Sequence, residues 1–229
     1  MKGIFITGTD TNIGKTWLSV RLIQALRKQG FNITPRKPVE SGWDRDISKT
    51  DACKLANAAN KLDQLDDICP NHFSQAISPA RAAMMEGRQL SISALAKQCH
   101  YPQKKHDFLV VEGAGGFYSP LTHDGLNSDL AHALDLPVLL VAENRLGCIN
   151  QVLLSVAAIK AASLQTALVV LNNHTAKTEG DDLLGKHNLE DLATLLTCPI
   201  ILLNHNETEQ AIFTNIAKLT SSKVRGVDS

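Results

Sequence analysis

Short apolar runs alternate with longer segments in which apolar residues recur every three or four positions. The first run, residues 2–7, carries Ile4, Phe5 and Ile6 and predicts a buried strand. Residues 15–29 follow with Leu18, Leu22, Ile23 and Leu26 at helical spacing, closed by Gly30. A second strand is expected from Phe31 to about Val39, and Pro35 and Pro38 place it toward a sheet edge, because proline cannot donate to a ladder. Ala52, Leu55, Ala56 and Ala59 predict a short helix over 51–60, with Asp51 in its first turn. Residues 65–73 read as a short extended piece, 79–85 as a turn of helix and 91–98 as a clearer helix. Asp107-Phe108-Leu109-Val110-Val111-Glu112 is a strong buried-strand signal. Strands at 136–142 and 167–172 flank a helix over 149–162; a helix at 189–196 and a sixth strand at 199–203 complete the series, and the tail from about residue 223 is expected to fray.

Strands separated by helical segments describe right-handed βαβ units, hence an α/β fold: a mostly parallel sheet with helices on both faces. A length of 229 residues, with no repeat or low-complexity stretch, fits one such domain. Charge then narrows the function. Lys plus Arg and Asp plus Glu both number 23, and no basic run offers a footprint for nucleic acid or an anionic membrane. No apolar stretch approaches the roughly 20 residues of a membrane span, and the N-terminus enters a strand at once, so a cytoplasmic protein is expected. The five cysteines are scattered without a CxxC pair and the eight histidines without an i, i+4 pair, which points away from a disulfide framework and a zinc site.

Candidate chemistry begins at Gly8-Thr9-Asp10-Thr11-Asn12-Ile13-Gly14-Lys15-Thr16, between the first strand and the first helix. A strand, a glycine-bounded turn ending in Gly-Lys-Thr and a helix make a P-loop, so the sheet is expected to be P-loop NTPase-like. Backbone N–H groups and the positive helix end would surround a phosphate, Lys15 would reach the outermost phosphoryl group, and Thr16 would place its hydroxyl on Mg²⁺. The usual spelling has a small residue at the position of Thr9, and here glycine comes one residue earlier. Glu112, ending an apolar strand before Gly113-Ala114-Gly115-Gly116, suits a second handle on Mg²⁺, and the glycines let backbone approach a ligand. Lys37, Glu40 and Ser41 fall at a strand end, where parallel sheets bind ligands. From spacing alone Lys37 is equally well a solvated edge lysine, and Asp51 is sufficiently explained as a helix-capping acid.

With Lys37-Pro38-Val39 leading to Ser41-Gly42, Asp51, the block around Glu112, and Leu146-Gly147-Cys148-Ile149-Asn150, the chain resembles the dethiobiotin synthetase family from residue 4 to about 173. The resemblance implies an ATP- and Mg²⁺-dependent carboligase of biotin synthesis acting as a homodimer. It would close a cyclic urea: 7,8-diaminononanoate takes up CO₂ as a carbamate, ATP phosphorylates it, and the second amine displaces phosphate. By the family pattern Thr16, Asp51 and Glu112 hold the metal. Asn12, Ile13, Gly14, Lys15, Thr16, Trp17, Gly113, Ala114, Gly115, Asn172 and Asn173 surround the nucleotide, with Asn172 on the base. Lys37, Lys15, Thr11 and Ser41 serve the carbamate and the transferring phosphoryl group. Gly147, Cys148, Ile149 and Asn150 open a helix that meets the substrate carboxylate from the partner subunit. The chain departs from the pattern at Ala80 and Gln151, where the family often has His, and at Leu202-Leu203-Asn204-His205, where it has Gly-x-Ile-Pro near the adenine.

The rival is a switch ATPase of the partition or septum-site type. Those proteins carry a second lysine five residues before the P-loop lysine, and here that position is Asp10. Other P-loop amidoligases usually add a glutamine-hydrolysing domain, for which 229 residues leave no room.

Overall fold

The computed structural model describes residues 2–101, 103–173, 179–204 and 213–218, with the backbone alone over 179–185. His205 and the tail from residue 223 lie outside the described residues. Six strands form the main sheet: β1 (Gly3–Gly8), β2 (Asn32–Arg36), β5 (Asp107–Gly116), β6 (Val138–Glu143), β7 (Thr166–Asn172) and β8 (Ile200–Leu203). Their order is β2-β5-β1-β6-β7-β8, and every pairing is parallel. β1 is central and β2 is at the edge, as its prolines require.

The central strands read as continuous apolar runs because helices cover both faces. Alternate residues serve opposite cores. Ile4, Ile6, Phe108, Val110, Leu139 and Val141 pack with Leu18, Leu22, Ile23 and Leu26 of α1 (Lys15–Lys28) and Leu55 of α2 (Asp51–Ala59). Phe5, Leu109, Val111, Val138 and Leu140 face the other layer, built from α5 (Ile92–Cys99), α6 (Asn127–Leu134), α7 (Cys148–Ala161) and α8 (Glu179–Leu195). Because all six strands run the same way, the loops after β1, β5, β6 and β7 emerge on one rim.

Four boundaries differ from the sequence expectation. The second strand stops at Arg36 rather than Val39, because the Lys37 amide donates to Ile68 O at 2.8 Å and leaves the main sheet. The chain then pairs β3 (Glu40–Ser41) in parallel with β4 (His72–Phe73), a separate two-stranded sheet. Of the extended piece expected over 65–73, only those last two residues are strand; α3 (Leu65–Ile68) is helical, with the Cys69 amide closing onto Leu65 O at 2.9 Å. α4 (Pro79–Met85) lies where expected, with Pro79 in its first turn. The sequence reading did not mark α6, and α8 begins at Glu179, ten residues before the apolar pattern does.

Burial separates the thiols. Cys69, Cys99 and Cys148 are buried, whereas Cys53 and Cys198 are half-buried. Burial pushes the Cys69 and Cys99 thiols up to about 12, with the nearby Glu40 charge adding to the effect at Cys69. At pH 8 a thiolate-selective reagent should therefore modify Cys53 and Cys198 first and reach Cys69 and Cys99 only as the protein opens. Mass spectrometry of a time course checks this, and fast uniform labelling of all five in the folded protein would contradict the burial order.

Candidate active site

The turn after β1 is held in conformations that only certain residues accept. Gly14 caps α1 with φ +92°, and a Cβ there would sit 2.2 Å from Asn172 Nδ2. Glycine is required twice over, by the left-handed backbone and by the close approach. Gly8 explains the unusual spelling: a Cβ would lie 2.5 Å from Ile13 Cδ1, and Ile13 is buried in the core beneath the loop. Asn12 also takes a positive φ of 56°. Asn172, at the end of β7, donates its amide to Ile13 O at 2.9 Å and so ties the loop to the far side of the sheet. Lys15 donates to Asp10 O at 2.7 Å, curling back over the loop. Burial, with the charge of Lys37, lowers its pKa to about 8.

Glu112 is the meeting point of the site. It is fully buried, at 0% exposure. Its Oε1 accepts from Thr16 Oγ1 at 2.8 Å and from Lys37 Nζ at 2.7 Å, while Oε2 accepts from Ser19 Oγ at 2.6 Å. Lys37, 4% exposed, also reaches Gly113 O at 3.3 Å and Asp51 Oδ2 at 3.4 Å. The solvated-edge possibility for Lys37 is thereby excluded. Burial by itself would lower the Lys37 pKa, but Glu112 and Asp51 outweigh it and raise it above the ordinary lysine value. Burial likewise opposes ionisation of Asp51, and Lys37 and a hydrogen bond from Thr16 overcome it, holding the carboxyl below the usual range.

Thr11, Asn12, Gly14, Lys15, Thr16, Trp17, Lys37, Glu40, Ser41, Asp51, Ala114 and Gly115 line one cleft of about 360 Å³. Glu112 and Gly113 do not line it but hydrogen-bond to Lys37, and Glu112 also to Thr16, both of which do. Asn173, just after β7, does not line this cleft; its amide donates to Leu203 O at 2.9 Å, and its buried Oδ1 has no partner among the described residues. Gly147, Cys148, Ile149 and Asn150 are not part of this cleft within one chain; Gly147 caps α7 with φ +87° on another part of the rim.

The donor set fits Mg²⁺. Thr16, Asp51 and Glu112 supply hard oxygens, and an ion that keeps several waters and uses one or two carboxylates plus substrate phosphates needs no larger protein cage. The Lys37 ammonium lies between the two carboxylates, at 2.7 and 3.4 Å, so the bay already favours positive charge.

A family model described as an AAA domain matches residues 2–201. The chain is 40% identical over 172 residues to the ATP-dependent dethiobiotin synthetase BioD of Anaeromyxobacter dehalogenans (strain 2CP-1 / ATCC BAA-258), covering 75% of this chain and 77% of that protein. It is 34% identical over 203 residues to the enzyme of the same name from Caulobacter vibrioides, covering 87% and 93%. The chain belongs to the dethiobiotin synthetase family. Among solved structures it resembles the MinC:MinD cell division protein complex of Aquifex aeolicus, with TM-score 0.53, 15% identity and coverage of 99% and 96%, which shows a shared fold alone. Membership in the dethiobiotin synthetase family makes the chain an ATP-dependent carbon–nitrogen ligase, and the switch-ATPase alternative is not favoured.

In this member of the dethiobiotin synthetase family several site residues escape a motif search. Ser19 lies one turn beyond Lys15 and Thr16 on α1, and that helical spacing alone could have flagged it. Asn127 has no such signal. It is fully buried, accepts from Ala114 N at 3.3 Å and donates to Gly116 O at 2.9 Å and to Ala114 O, clamping the second glycine loop. Ser119 Oγ accepts from Gly116 N at 2.8 Å and would be 2.6 Å from a Cβ on Gly115, which has φ +75°.

The Gly14 geometry yields a direct test. Gly14→Ala should destabilise by about 1–3 kcal/mol from backbone strain and displace Asn172, so nucleotide affinity falls along with the melting temperature. Calorimetric ADP titration beside thermal melting checks this, and wild-type affinity in the variant would mean that the loop does not need its observed conformation.

Proposed function

We propose that this chain forms the ureido ring of dethiobiotin from 7,8-diaminononanoate and CO₂, using ATP and Mg²⁺, as a single-domain cytoplasmic enzyme in biotin biosynthesis. The observation that carries the proposal is the buried convergence of Lys37, Thr16, Asp51 and Glu112 on the open end of the phosphate loop. A carbamate oxygen attacks the γ-phosphorus and ADP leaves; the second amine then attacks the carbonyl carbon of the mixed anhydride and expels phosphate. The first step brings an anionic carbamate against an anionic triphosphate and the second expels anionic phosphate, so preorganised cations do most of the work. Lys15 draws charge from the γ-phosphate, Lys37 steadies carbamate and phosphoryl oxygens, and Thr11 and Ser41, both lining the cleft, hydrogen-bond the same groups. No covalent nucleophile is needed, since holding the reacting groups in near-attack geometry can supply on the order of 7–11 kcal/mol at best. Thr16, Asp51 and Glu112 would hold Mg²⁺, which would supply neutralisation of the triphosphate charge. Asn172 and Asn173 at the end of β7 are the groups we assign to the base side.

The α7 opening is assigned to the substrate carboxylate of the partner subunit, and the surface of α7 supports a homodimer. Leu146 and Leu154 are 78% and 63% exposed. Asn150, Leu154, Ala157 and Ala161 make one exposed stripe at helical spacing on α7, and Leu146 precedes the helix. An exposed apolar stripe of this kind suits contact with a second copy.

Incubating purified protein with the diamine, bicarbonate, ATP and Mg²⁺ should yield dethiobiotin by mass, and phosphate release should cease when the diamine is omitted. Continued ATP hydrolysis without diamine would instead favour a switch ATPase. Glu112→Gln should weaken Mg²⁺-dependent nucleotide binding by more than the roughly 1 kcal/mol of a neutral hydrogen bond, read from Mg²⁺ titrations of wild type and variant. Lys37→Ala should abolish turnover and, because it strands a buried carboxylate, destabilise the ligand-free protein by about 3–5 kcal/mol. Normal turnover in that variant would sink its catalytic assignment. Leu154→Lys should yield monomers by sedimentation and lose turnover while nucleotide binding persists; an unchanged dimer would move the interface off α7.

A further inference from the structure

Glu40 lies outside the phosphate loop and outside the metal ligands, yet its carboxylate makes two of the best-placed contacts in the cleft. It is 7% exposed. Oε1 accepts from the Asp51 amide at 2.8 Å and Oε2 from the Ala52 amide at 2.9 Å. These are the first two N–H groups of α2, which the helix itself leaves without partners. The helix does not depend on Glu40 for a cap, since Thr50 Oγ1 already accepts from the Cys53 amide at 3.2 Å. The Glu40 contacts add to that cap, and one of them falls on the residue whose side chain faces Lys37 and Thr16.

The base from which Glu40 reaches is rigid. Its amide donates to Asn71 O at 2.9 Å, and β3 pairs with β4 on the same stretch. Asn71 is buried and fixed from three directions, by Pro38 O and Gln98 Oε1, each at 2.9 Å, and by Arg88 at 2.8 Å. The segment carrying Glu40 also carries Lys37 and Ser41. One carboxylate thus links the limb that bears the catalytic lysine to the helix that bears Asp51.

We propose that Glu40 is a positioning residue of the metal site: by gripping the first two amides of α2 it sets Asp51 at the distance from Glu112 and Thr16 that a divalent cation needs. This rests on Asp51 being a metal ligand. Removing groups that orient metal ligands typically costs about 10–100-fold in metal affinity, whereas a plain helix cap affects stability alone. Glu40→Gln keeps the shape but offers one acceptor oxygen, and its amide N–H₂ would meet a backbone N–H, so one of the two contacts is lost.

The test measures ADP binding by calorimetry across a Mg²⁺ series, with ADP binding in EDTA and thermal melting alongside, for wild type, Glu40→Gln, Asp51→Asn and the double variant. The expected result is an about tenfold higher half-saturating Mg²⁺ concentration in Glu40→Gln. Binding in EDTA should be unchanged, and the double variant should show little further loss beyond Asp51→Asn, because the two residues act as one unit. A wild-type Mg²⁺ titration in Glu40→Gln beside a shifted one in Asp51→Asn would leave Glu40 as a helix cap and overturn the proposal alone. Loss of EDTA binding in step with a fallen melting temperature would overturn it in favour of a general structural role. An unshifted Asp51→Asn would remove Asp51 from the metal site and take both assignments with it.

Discussion

The site depends on a carboxylate buried where no water can stabilise it. Glu112, at the end of the hydrophobic half of β5, is fully buried, and a lone charge there would cost several kcal/mol. Three side chains from two other elements balance it: Thr16 and Ser19 from α1, and Lys37 from the segment after β2. Each is thereby drawn to a fixed place, and the neighbouring acid Asp51 is drawn in turn by Lys37. A cation-binding bay follows from the need to neutralise one buried acid. The Lys37 ammonium balances it between the two carboxylates.

Backbone conformation carries the second constraint. The rim of a parallel sheet gives loops that approach one another closely, and here the approach is tight enough to exclude Cβ atoms at Gly8, Gly14 and Gly115. The first loop is anchored from β7 by Asn172 and from the core by Ile13. The second is clamped by Asn127 and Ser119. Anion-binding N–H groups need such fixation, because donors that must reorganise during the reaction lose most of their catalytic worth.

A third layer is the small sheet of β3 and β4. It diverts the chain out of the main sheet after Arg36 and brings Lys37, Glu40 and Ser41 over the cleft, with α2 docked against them through the Glu40 carboxylate. The main sheet carries the phosphate loop. This limb supplies the groups that would turn it toward carbamate.

Six strands, their parallel arrangement, the edge position of β2 and the phosphate loop were legible in the sequence, because each rests on local signals: apolar runs of strand length, proline placement and glycine spacing. Lys37 and Asp51 were visible as residues but ambiguous as chemistry, since an edge lysine and a capping acid explain their spacing equally well. Only the tertiary structure decided between these, by burying Lys37 between Asp51 and Glu112, which are 14 and 75 residues away along the chain. The parts around residues 65–73 and 127–134 were misread or unseen because short helices take their stability from packing rather than from a periodic face of their own. Glu40 and Asn127 act through contacts with partners 11 and 13 residues away, and no spacing rule in one sequence encodes either pair. Local periodicity determines which elements form; the balancing of buried charge, which depends on what the sheet brings together, determines what they can do.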